Sequence, residues 1–198
     1  MQRRNKRRNT GHEGTRRTAG HTGGRRRLLL AAVAVTAGAG LALGAGAPLV
    51  TAAAPQVVDG RGAAYNDWGD EGTLSVNRHA NSNATRLWQS VLYADGAKWR
   101  ASNGTWHTFT KADIDGSFGP RTRSATKWWQ DQEELEDVDG IVGKETFGHA
   151  DDVLDGPSGN GTVTYGGYRH DVTFKRLDGK YYVRIGANWK VAAYDWRG

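Results

Sequence analysis

Asp115-Gly116-Ser117-Phe118-Gly119-Pro120-Arg121-Thr122 returns further along the chain as Asp139-Gly140-Ile141-Val142-Gly143-Lys144-Glu145-Thr146, with Asp, Gly, Gly and Thr at the same four places. A second echo goes with it: Trp88-Gln89 returns as Trp129-Gln130. In each octet Asp-Gly makes a turn and Phe118 or Val142 is an apolar plug aimed at a core. The next glycine, Gly119 or Gly143, gives the backbone a tight entry into a helix. Two copies imply two loop-to-helix units stacked on one core, and two are too few for a solenoid.

Helical periodicity surrounds both loops. Upstream, Thr85 to Tyr93 reads as a helix: Ala84, Trp88 and Leu92 stand at i, i+4 and i+8, with Leu87 and Val91 flanking them. Ser82 or Asn83 caps it and Asp95-Gly96 ends it. A second helix starts at Pro120, where a missing N–H does no harm, and runs to about Glu134 with Thr122, Ala125, Thr126 and Trp129 on one face. A third begins near Lys144, with Phe147, Ala150 and Leu154 aligned. Between the first two, Lys98 to Phe109 reads as a hairpin turning on Asn103-Gly104, the preferred type I′ pair. That turn opposes Ala101 to Trp106 and Trp99 to Thr108, which puts all four on one face.

Beyond Gly156-Pro157-Ser158-Gly159-Asn160-Gly161 the pattern turns to strands. Val172–Leu177 and Lys180–Ile185 flank Asp178-Gly179, Trp189–Tyr194 follows, and Val163–Tyr168 adds a fourth. Residues 160–198 are thus read as a small antiparallel β meander of unknown role. It is near the lower size limit for a disulfide-free domain, and is expected to pack on the helices or be marginal alone. Residues 54–72, rich in Gly, Asp and Asn, read as a linker. The fold class is α+β: a small three-helix bundle with an inserted hairpin over 73–155, then the meander.

Charge position decides the compartment. The formal net charge is +6, yet residues 1–27 hold ten basic residues and one acid, Glu13. The rest carries 17 basic and 20 acidic residues, a formal −3. So weakly acidic a body does not make the counterion-releasing contacts that drive nucleic-acid binding. The basic run enters an uncharged stretch from Leu28 to Val58, apolar first and small-residue later, in the order of a secretory signal with cleavage near Ala53. Residues 1–53 are read as that signal, and Arg25-Arg26-Arg27-Leu28-Leu29 loosely fits the twin-arginine type. The alternative is a retained membrane anchor, which Gly38, Gly40, Gly44, Gly46 and Pro48 weaken. There is no cysteine, so neither disulfides nor thiol chemistry is available.

Taken together, residues 74–154 resemble the peptidoglycan-binding domain family, small three-helix modules attached to many cell-wall hydrolases. The family pattern is an apolar-Gln pair, D-G-x-F-G-x-x-T, a helix ending in an aromatic-Gln pair, then D-G-x-V-G-x-x-T. The matching residues are Trp88-Gln89, Asp115 to Thr122, Trp129-Gln130 and Asp139 to Thr146. The resemblance implies a wall-binding role and assigns Trp88 and Trp129 to packing. The chain departs from the pattern in the longer loop holding the hairpin, and in Glu134, which stands where the family usually has glycine.

Asp113, Asp115 and Ser117 alternate as in a calcium loop, but Phe118 and Ser124 stand where such a loop needs Gly and Glu. Ser124-Ala125-Thr126-Lys127 has the S-x-x-K form without the S-D-N and K-T-G partners of penicillin-recognising enzymes. His79, His107, His149 and His170 form no close metal pair, and Asp131 to Asp137 is an acidic run of the kind found on solvated faces. His170 and Asp171 are neighbours in a strand and point to opposite faces. Tyr93, Trp99, Trp106 and Trp128 can form a stacking platform for a sugar or stem peptide; the alternative is a satellite hydrophobic cluster that closes the hairpin on the helices.

The expectation is a secreted or wall-associated, monomeric binding protein without catalytic residues, metal or cofactor. Its partner is peptidoglycan, bound beside Asp115 and Asp139 with Tyr93, Trp99, Trp106 and Trp128. Gly116, Phe118, Gly119, Thr122, Trp129, Gln130, Gly140, Val142, Gly143 and Thr146 form the structural motif. The rivals are a small wall hydrolase and a secreted inhibitor or interaction module acting through residues 160–198.

Overall fold

The computed structural model describes residues 56–198; the expected signal segment 1–53 and residues 54 and 55 of the expected linker lie outside them. Helix α1 (Asn83–Asp95) starts where Ser82 Oγ accepts the Thr85 N–H at 3.0 Å. It stops in a Schellman turn: Gly96 takes φ +63°, Gly96 N–H bonds Tyr93 O, and Ala97 N–H bonds Leu92 O. The short strands β1 (Lys98–Arg100) and β2 (Trp106–Thr108) follow as a hairpin. Helix α2 (Pro120–Gln132) has proline at its first turn, and α3 (Lys144–Asp151) completes the helical part.

Helix α2 ends two residues earlier than expected. Leu135 N–H bonds Gln130 O and Glu134 N–H bonds Asp131 O, which forces Glu134 to φ +58°. The third helix is also shorter than its apolar spacing suggested. Leu154 does not continue α3's face but opens β3 (Leu154–Asp155), paired with Tyr165.

Strands β4 (Gly161–Gly166), β5 (Asp171–Leu177), β6 (Lys180–Ile185) and β7 (Asn188–Val191) join β3 in one antiparallel sheet of order β3-β4-β5-β6-β7. The expected Asp178-Gly179 turn holds, with both residues at positive φ, as a type I′ turn requires. The expected strand through Tyr194 ends at Val191 instead. Ala192, Ala193 and Tyr194 turn into the core.

Two boundaries drawn from sequence dissolve in three dimensions. Residues 56–72 are not a linker but a strap folded onto the body. Val58 bonds Ala192 O and Tyr181 N across the β6–β7 edge, and Trp68 is fully buried. The Trp68 ring meets Phe147 of α3, Phe174 of β5 and Tyr181 of β6 edge-on, at centroid distances of 6.0, 5.7 and 5.3 Å. The sheet packs on the helices, as its small size leads one to expect, and the boundary between the two parts is lost in a shared core: Val163, Tyr165, Phe174, Tyr181 and Val183 join Leu87, Trp88, Trp129 and Phe147. Helix α1 packs on β4, β5 and β6. Among the described residues no helix is long and apolar enough to cross a membrane.

Candidate functional site

Each Asp-Gly octet is closed by a glutamine one helix upstream. Gly116 takes φ +77°, which glycine alone adopts cheaply, and its N–H donates to Gln89 Oε1 at 2.7 Å. Gln89 Nε2 donates in turn to Asp115 Oδ1 (2.8 Å), Ser117 O (3.1 Å) and Thr122 Oγ1 (3.1 Å). The Thr122 hydroxyl donates to Ser117 O, and Ser117 N–H donates to Asp115 Oδ1 at 2.7 Å. Every polar contact recurs in the second octet. Gly140 (φ +75°) donates to Gln130 Oε1 at 2.8 Å, and Gln130 Nε2 reaches Asp139 Oδ1 (3.3 Å), Ile141 O (2.8 Å) and Thr146 Oγ1 (3.2 Å). Gln89 and Gln130 are buried, so these bonds supply partners that water cannot.

The plugs behave as read from sequence: Phe118 and Val142 are buried. Their N–H groups bond Ala80 O and Leu74 O on the segment before α1, which ties both loops to one template. The reading of Gly119 and Gly143 needs correction. Both cap their helices in ordinary extended backbone, with open space where a side chain would begin.

The expected ligand residues are not brought together. Asp115 and Asp139 are exposed, but Oδ1 of each is committed to its clasp. Trp99 and Trp106 do not share a face, because the hairpin pairs Trp99 with His107 and Arg100 with Trp106. The loop has three residues rather than two: only Gly104 takes positive φ (+86°), while Asn103 Oδ1 accepts from Thr105 N–H. That one-residue shift sends the two tryptophans to opposite sides.

Trp99 packs on the core, its ring stacked with His107 at 4.5 Å and under the Arg121 guanidinium at 4.6 Å. Arg121 itself pairs with Asp113. Trp106 is 53% exposed, with the Arg100 guanidinium 6.0 Å from its ring. Trp128 is half-buried against the core. Tyr93 stacks on His170 at 4.4 Å, and neither residue joins the hairpin rings. Trp129 is buried edge-on to Trp88 at 5.0 Å, as assigned.

Several buried polar groups escaped the sequence reading. From sequence, Asp95 is a helix terminator and nothing more. It accepts from Trp129 Nε1 (2.6 Å), Tyr165 OH (2.6 Å) and Tyr168 N–H (3.0 Å), and so joins α1, α2 and β4. Arg176 is buried and pairs with Asp67, which also accepts from Tyr181 OH at 2.6 Å. A usable signal was present, since Arg176 alternates in register with the inward-facing Phe174. Glu71 Oε1 and Oε2 accept from Asp59 N–H and Tyr194 OH, and burial pushes its carboxyl up to about 7. Asp151 accepts from Trp68 N–H, and burial raises it to about 6. These acids hold the strap. An open polar hollow of about 630 Å³, lined by Asp59, Arg61, Asn66, Asp67 and Asp70, lies along it and includes none of the expected ligand residues.

No curated protein and no solved structure matches the chain. Residues 105–149, which span β2, α2 and both Asp-Gly octets, match the family model described as a putative peptidoglycan binding domain.

Proposed function

We propose that the protein attaches to bacterial cell-wall peptidoglycan without catalysing a reaction, as an exported or wall-associated binding protein. The observation that carries this reading is the doubled Gln-to-Asp-Gly clasp inside and beside the matched segment. Rigid loops fixed by buried amides present a shaped surface at little ordering cost on binding. Trp106 is the ring placed to stack on a sugar or stem peptide, because it is the most exposed tryptophan and a guanidinium stands beside it. The basic, apolar and small-residue order of residues 1–53 supports export.

The test is co-sedimentation of the protein with purified insoluble peptidoglycan while turbidity is followed. The expected result is protein in the pellet at constant turbidity. Protein left in the supernatant overturns wall binding, and falling turbidity overturns the non-catalytic part.

A further inference from the structure

Two arginines meet over the first Asp-Gly turn. Arg86 comes from α1, one helical turn before the clasp residue Gln89. Arg197 comes from the segment after β7, whose backbone is fixed to the start of α1 by Asn83 N–H donating to Trp196 O at 2.8 Å. Arg197 Nη1 also donates to Asn81 Oδ1 at 3.3 Å. A methyl group on Gly116 would lie 2.9 Å from both Arg86 Nε and Arg197 Cδ, so the two side chains cover one point of the turn. Among the described residues neither guanidinium forms an ion pair, and Asp113 is taken by Arg121. Arg86 Nη1 donates to Ile114 O at 3.0 Å, while its Nε is buried and donates to none of the described residues. Burial and the Arg197 charge beside it hold the Arg86 guanidinium below its ordinary value, and Asp115 opposes them. Asp115 is exposed; its Oδ1 is held in the clasp, and its Oδ2 accepts no hydrogen bond from the described residues.

The pattern of donors and acceptor, rather than net charge, selects the occupant. With Asp115 and Asp195 set against Arg86 and Arg197, the neighbourhood is formally neutral, so it holds no polyanion by charge alone. It offers two guanidinium forks, which fit a carboxylate, beside a carboxylate oxygen that accepts an N–H. A glycan strand of hydroxyls alone gives the forks no anion. The carboxyl end of a peptide supplies both groups at once, since its terminal carboxylate and last amide N–H are neighbours. The second turn lacks this pattern. Arg123 and Lys127 cover Gly140, but the acidic run through Glu136, Asp137 and Asp139 enters the same loop. We infer that Arg86 and Arg197, with Asp115, take the carboxyl end of a peptide at the first Asp-Gly turn. The inference rests on the wall-binding reading for the source of that peptide, the stem peptides of peptidoglycan.

The experiment titrates the full chain with N-acetyl-D-alanyl-D-alanine, its C-terminal amide and inorganic phosphate, all at one ionic strength. The readout is the Arg86 Nε–H signal in proton–nitrogen correlation spectra, assigned by its loss in Arg86→Gln. The dipeptide is expected to shift that signal, and its amide to bind at least about tenfold more weakly, the loss of a charge-assisted contact. Arg197 is exposed and held by one long hydrogen bond, so Arg197→Gln is expected to keep its thermal melt while weakening the dipeptide about tenfold. Equal binding of the amide overturns the inference. So does phosphate bound as tightly as the dipeptide, unchanged affinity in folded Arg197→Gln, or an Arg86 signal that no probe moves. Sedimentation with peptidoglycan keeps the two readings apart. A chain that pellets yet ignores the dipeptide retains wall binding and loses the subsite. A chain that takes the dipeptide yet stays in the supernatant retains the subsite and loses wall binding.

Discussion

Gln89 holds Gly116 from the neighbouring helix: the Gly116 N–H donates to Gln89 Oε1 at 2.7 Å, and the same amide's Nε2 donates to Asp115 Oδ1 at 2.8 Å. Replacing Gln89 with alanine strands the Gly116 N–H in a buried site and removes the amide that bridges Asp115, Ser117 and Thr122. Gln89→Ala is expected to destabilise the fold by about 3 kcal/mol in urea unfolding, and Gln130→Ala by a similar amount. A loss under about 0.5 kcal/mol, the range of ordinary surface changes, would mean the clasps do not hold the loops.

Asp95 is the polar joint between helices and sheet, accepting from Trp129, Tyr165 and Tyr168. Asn at this site would set an NH2 group against donors. Asp95→Asn is expected to lower stability by about 3 kcal/mol, since it breaks a buried charge-assisted network. Near-ultraviolet circular dichroism would register the accompanying loss of aromatic packing, and an unaltered melt would refute the joint.

The strap gives stability a pH dependence. Glu71 is raised from 4.5 to about 7 and Asp151 from 3.8 to about 6, burial being the first cause of each. A carboxyl with a raised folded pKa binds its proton more tightly in the native state. Its contribution is therefore complete below the unfolded value and is lost as pH rises through the folded one. Unfolding midpoints should fall from about pH 4 to about pH 7, and Glu71→Gln should flatten the upper part of that decline. A midpoint rising over this window would contradict the assignment.

Trp106 and Trp99 should separate binding from folding. Trp106 is exposed, so Trp106→Ala is expected to change stability by less than about 0.5 kcal/mol while reducing retention on peptidoglycan. Trp99 packs under Arg121 and beside His107, so Trp99→Ala should destabilise by about 2 kcal/mol. Full retention of Trp106→Ala in the pellet would remove it from the binding surface.

Glu134 occupies a left-handed position at the end of α2. Glu134→Gly is expected to raise stability by about 1 kcal/mol, the strain relieved at that position. A lower unfolding midpoint in the variant would show that the Glu134 side chain outweighs the strain.

The parts legible in the sequence were those set by neighbours along the chain. Positive φ at Gly116 and Gly140, the Asp178-Gly179 turn, the Ser82 cap and the proline start of α2 each follow from local backbone chemistry. The burial of Trp88, Trp129, Phe118 and Val142 follows from periodicity and from repetition of the octet. The hairpin register was not legible, because Asn103-Gly104 serves a two-residue or a three-residue loop equally well, and the change between them flips every side chain. The strap was hidden for another reason. Two adjacent valines, two alanines, a tyrosine and one tryptophan among Gly, Asp and Asn have no helical or strand period, and Trp68 is buried because Phe147, Phe174 and Tyr181 arrive from three later elements. Sequence determined the two clasped loops and the strands. Tertiary structure alone decided that the strap joins helices and sheet in one core, because the carboxylates of Asp67, Glu71, Asp95 and Asp151 find partners far along the chain.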